Sequence, residues 1–122
     1  MTDDLWPSNI ADANLVTPLS ILKEQAALLG EKTRQLVKGE VTTQTTGSLF
    51  VHSFCLLAPT VGYRYELFRV THYVSFYPLN VIYLNDTQQL RTEAEFKDKL
   101  KEIFSATHTV NTVQSIMSQL RA

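Results

Sequence analysis

A chain of 122 residues with 44% hydrophobic and 19% charged residues, four glycines and four prolines has the make-up of one globular domain, not of a disordered or fibrous polymer. Its formal net charge of -1 provides no long-range field to gather nucleic acid or an anionic membrane surface, and its single cysteine, Cys55, excludes an intrachain disulfide. The acidic start, Met1-Thr2-Asp3-Asp4-Leu5-Trp6-Pro7, lacks the basic residues and apolar core of a signal peptide, so a cytoplasmic location is the expectation.

Residues 1–16 show no sustained periodicity and are read as an extended arm, followed by a single domain over 17–122. Trp6 offers much apolar area for little ordering entropy and is expected to pin that arm to its own domain. Thr17-Pro18 then forms a strong helix start, because threonine can accept a bond from a free N–H and proline at the first helical position gives up no bond. The pattern predicts a helix to about Lys38, with Gly39 as its C-terminal cap. Leu19, Leu22, Ala26, Leu29, Thr33 and Leu36 recur at spacings of three and four and form its core stripe. Ile21 and Leu28 fall on nearly the opposite side, so the helix is expected to be sandwiched: its stripe on a sheet, and the Ile21/Leu28 pair against either the C-terminal helices or a second subunit.

From Val41 to Leu84 the chain is rich in β-branched and aromatic residues, with only Arg64, Glu66 and Arg69 charged. Strands are predicted over 48–57, 63–70 and 80–84, the first two joined by a hairpin loop at Ala58-Pro59-Thr60-Val61-Gly62. The polar run Thr42 to Thr46 reads as an extension of the first strand, a loop or an edge. Thr92 and Glu95 have capping-box spacing and predict a helix over 93–104, with Phe96, Leu100, Ile103 and Phe104 on one face. After an interruption at 105–109, Val110, Val113, Met117 and Leu120 form a second short stripe. The expected fold is α+β: a long N-terminal helix packed on a three- to four-stranded antiparallel meander, completed by two short C-terminal helices.

His52 and Cys55 are close in sequence, but an offset of three on a strand sends them to opposite faces, so they are read as a hydrogen-bonded histidine and a core thiol rather than metal ligands. His72, near a strand end with Arg69 and Glu66, is the better candidate for a general base or an anion site. Tyr63, Tyr65, Arg64 and Arg69 head an aromatic and basic cluster of the kind enriched in binding surfaces, with the two tyrosines on one side of the strand and Arg64 and Glu66 on the other. No glycine-rich phosphate loop, nucleophile elbow, zinc motif or carboxylate cluster occurs, and no cofactor or metal is expected. The functional expectation is a non-catalytic, self-associating protein-interaction or regulatory module using Ile21, Leu28 and the tyrosine-rich sheet, with the chain itself or another protein as partner and nucleic acid and membranes disfavoured. The alternative is a small enzyme or ligand binder with a strand-end pocket formed by His72, Arg69 and Glu66.

Overall fold

The computed structural model describes residues 2–122. Helix α1 spans Pro18–Lys32, followed by five strands, β1 (Lys38–Thr46), β2 (Leu49–Ala58), β3 (Tyr63–His72), β4 (Leu79–Tyr83) and β5 (Asp86–Leu90), and by helices α2 (Glu93–Ser105) and α3 (Thr107–Leu120). The strands form one antiparallel sheet in the order β1-β2-β3-β4-β5, a pure meander with every connection too short for a helical crossover. The expected α+β architecture holds, with five strands where three to four were anticipated.

Local chemistry explains most element ends. The Thr17 side chain accepts from the Ser20 N–H at 3.0 Å while the Ser20 hydroxyl accepts from the Thr17 N–H at 3.1 Å, a reciprocal cap on α1. Thr92 likewise accepts from the Glu95 N–H at 3.1 Å, whereas the Glu95 carboxylate reaches past Thr92 to the Arg91 N–H at 3.3 Å. Helix α1 ends well before the predicted Lys38. Arg34 and Gln35 both adopt positive φ, and the Thr33 hydroxyl donates to the Val37 carbonyl at 2.7 Å and accepts from the Val37 N–H at 3.1 Å, stapling the turn shut. Gly39 is consequently a strand residue rather than a helix cap. Its bare Cα lets β1 approach α1 closely: a Cβ there would lie 2.7 Å from the Cα and Cβ of Ala26.

All three helices cover one face of the sheet. The core joins Leu22 and Ala26 of α1 and Phe96, Leu100 and Ile103 of α2 to Phe54, Leu56, Val70, Val81 and Leu90 of the sheet. A smaller cluster of Val37, Ala58 and Ile116 seats α3. Among the described residues, no helix lies on the opposite face.

One irregularity decides which side chains go where. From the hairpin loop the pairing runs Ala58 with Tyr63, Leu56 with Tyr65 and Cys55 with Glu66, but Phe54 then pairs with Phe68, so Leu67 is an extra residue in β3. A β-bulge of this kind reverses the alternation beyond it. Tyr63, Tyr65 and Leu67 point to the helices on one side of the bulge, and Phe68, Val70 and His72 do so on the other. Arg69 is thereby turned to the open face. Among the described residues, no helix is long and apolar enough to cross a membrane.

Candidate functional site

The sequence-predicted residues are distributed over five separate places. On the open face of the sheet, Arg64 is ion-paired with Glu40, and Arg69 bonds Glu66 at 2.5 and 3.3 Å. The bond from Arg69 holds the Glu66 carboxyl below the usual carboxylate range, against the opposing effect of its partial burial. Cys55 lies beneath these pairs, buried, with its thiol pushed up by that burial. Two guanidinium groups answered by two carboxylates leave no surplus positive charge for a phosphate, and such exposed pairs contribute little to stability.

Tyr63 and Tyr65 lie on the helix side. The Tyr65 hydroxyl sits 2.9 Å from His108 Nε2 at the start of α3, with the imidazole edge-on to the ring. Tyr63, half-exposed, helps to line a shallow groove of about 400 Å³ between the β2–β3 loop and α3.

His72 is not at a pocket mouth. The bulge carries it to the helix side, where it is buried and faces His52, itself only 2% exposed. The two Nε2 atoms are 2.7 Å apart, His72 Nδ1 is 2.6 Å from the Tyr73 carbonyl oxygen, and His52 Nδ1 is 2.9 Å from the Thr43 hydroxyl. A carbonyl only accepts, so His72 Nδ1 carries the hydrogen. With both rings neutral, His72 Nε2 then accepts from His52 Nε2–H, and His52 Nδ1 accepts from Thr43. Phe50 stacks on His72 with ring centroids 5.4 Å apart, and Phe76 meets it edge-on at 6.0 Å. Burial, with smaller contributions from His72 and Lys23, pushes His52 down to about 4. This chain of bonds ends on a carbonyl that takes no proton, so it ties three strands, β1, β2 and β3, together rather than serving a substrate. His72 therefore shares no cleft with Arg69 and Glu66, which instead line, with Arg64 and Cys55, a small concavity of about 250 Å³ on the open face.

Ile21 and Leu28 also part company. Ile21 is 5% exposed and belongs to the core cluster that also holds Leu100 and Ile103 of α2, which lies on the same face of the sheet across an open trough from α1. Of the two outcomes foreseen for this residue, contact with the C-terminal helices is the one realised. Leu28, 38% exposed, stands on the rim of a largely apolar concavity.

That concavity is a cleft of about 390 Å³ between α1 and the α2–α3 pair. Its floor is Phe54, Leu56 and Leu67 of the sheet, and its walls include Leu29, Phe104 and Val113. Leu28 of α1 and Val110 of α3 both line it and are each 38% exposed. Leu67 reaches the floor only because of the bulge. Sequence reasoning missed the cleft because its lining comes from five elements; the partial signal was the pair of short apolar stripes on α2 and α3, which could not both be buried by a single sheet face already holding α1.

Among the described residues, no group of three or more histidine, cysteine, aspartate or glutamate side chains is arranged to hold a metal ion. No protein-family model matches the chain, and neither the curated proteins nor the solved structures contain a match to it.

Proposed function

We propose that the chain is a non-catalytic interaction module that receives an apolar segment of a protein partner in the cleft between α1 and α3, and that it uses this cleft to self-associate. The observation that carries the reading is the cleft itself: about 390 Å³ of open space floored by Phe54, Leu56 and Leu67, with aliphatic side chains left half-exposed at its rim. That volume lies within the range of sites that enclose a ligand group, and its lining offers hydrophobic contact rather than directed chemistry. Titratable side chains that could act as acid or base are engaged elsewhere: His52 and His72 with each other, Glu66 with Arg69, and Glu40 with Arg64.

Sedimentation over a range of concentrations tests the reading. The wild-type chain is expected to associate in the micromolar range, and Leu28→Glu and Val110→Glu, both at half-exposed positions where a carboxylate remains solvated, are expected to hold it monomeric without loss of secondary structure. A wild-type chain that stays monomeric at high micromolar concentration, or an association indifferent to both substitutions, would overturn it.

A further inference from the structure

The residues preceding α1 behave unlike a solvated tail. Leu5 and Trp6 are 90% and 72% exposed, and Ile10, Leu15 and Val16 are also mostly in water. Five large apolar side chains within twelve residues, of which only Val16 borders the domain, form an uncovered surface of the kind that marks an interaction segment. The anchoring of Trp6 onto its own domain, expected from the sequence, does not occur. The arm also carries Asp3, Asp4 and Asp12 and no basic residue.

A matching receptor exists on the same molecule. The apolar cleft continues, through Gln25, Lys32 and Phe104, which line both, into a longer trough between α1 and α2 that ends beside Val16. Lys32, Lys97 and Lys101 border the trough together with Glu24 and Glu93; Lys97 pairs with Glu93, among the described residues Lys32 and Lys101 form no ion pair, and three lysines against two glutamates leave a small positive excess. Cleft and trough together offer an apolar seat for an indole and a lysine-bearing track for aspartates.

Resting on the self-association reading above, we infer that the occupant of the cleft is the N-terminal arm of a second copy of the chain, with Trp6 seated between Leu28 and Val110 and the exchange made reciprocally. The area supports this choice. An arm with five apolar side chains, one of them an indole, buries on the order of 500 Å² of its own surface and a similar area of the partner. Two such contacts give roughly 2,000 Å², the scale of a stable specific interface. Reciprocal exchange also hides both arms and both clefts at once, and the aspartates meet lysines, so the dimer weakens as salt is added.

Trp6 is the only tryptophan in the chain, so intrinsic fluorescence reports the arm directly. The expected result is an emission that moves to the blue as concentration rises, in step with the monomer–dimer transition seen by sedimentation. Trp6→Ala should weaken the dimer by at least about tenfold, as loss of a central aromatic anchor does, while leaving the circular dichroism unchanged. Leu28→Glu should keep Trp6 emission water-like at every concentration. A dimer that survives Trp6→Ala but is lost with Leu28→Glu would sink the arm assignment and leave the cleft as the association surface. A blue-shifted emission independent of dilution would place the arm in its own cleft and overturn exchange between copies. A monomer with water-like emission at the highest concentration would overturn both readings.

Discussion

Acidification from pH 7 to pH 5 should destabilise this domain through His52. The side chain is 2% exposed and held neutral by burial, with its value pushed down to about 4 from 6.5. Protonation would convert Nδ1 from acceptor to donor, which the Thr43 hydroxyl could accommodate, so the cost arises from desolvating a charge rather than from a broken bond. Folding therefore favours the neutral ring, and the unfolded chain takes up the proton first. The loss begins near the unfolded value of 6.5, grows as pH falls, and levels off below about 4, where the native ring protonates as well. Linkage converts that gap into roughly 3 kcal/mol in all, of which about 2 kcal/mol falls between pH 7 and pH 5. Urea unfolding followed by circular dichroism at pH 7, 6 and 5 measures it, with His52→Gln as the control that cannot acquire the charge. Glu66 does not confuse this window: its depressed carboxyl stabilises the fold above the ordinary carboxylate value and loses that contribution only at lower pH. Equal losses in wild type and His52→Gln between pH 7 and pH 5 would refute the argument.

Other positions give sharper local tests. Gly39→Ala should cost about 1–3 kcal/mol in chemical denaturation, because the new methyl would need to displace α1 from Ala26 rather than a flexible side chain. Tyr77→Phe should leave stability unchanged or raise it by up to about 1 kcal/mol, since the Tyr77 hydroxyl is buried without a hydrogen-bond partner in the described residues. Cys55 should react slowly with alkylating reagents at neutral pH in the native state and rapidly once unfolded, because burial both shields the thiol and disfavours the thiolate.

Where chemistry is local, the sequence was readable. Thr17-Pro18 and Thr92 announce helix starts through side-chain bonds made within three residues, and the Pro59–Gly62 connection announces the β2–β3 hairpin. The edge strands were not readable as such. The far half of β1 and most of β5 are exposed, so Thr42–Thr46 and Asp86–Gln89 have no alternation of apolar and polar residues to betray them. Helix α1 stops where two residues other than glycine adopt positive φ, a conformation held by the Thr33 staple rather than by residue type. The candidate site suffered most from parity. In an unbulged β3, His72 would share a face with Glu66, whereas the extra residue at Leu67 sends it to His52 and sends Arg69 to Glu66 instead.

Strand β3 is therefore read in two frames. Up to Glu66 the odd-numbered residues meet the helices; from Phe68 the even-numbered ones do. Flattening the bulge with every residue kept would drive Arg69 and Thr71 to the helix side, into the space occupied by Phe68 and Val70, beside the ring of Phe104. Deletion of Leu67, by contrast, would let Phe68 follow Glu66 directly opposite Phe54, leaving Phe68, Val70 and His72 on the helix side and removing only one side chain from the cleft floor. The added residue thus widens the apolar floor under the helices without turning any other side chain of the strand over.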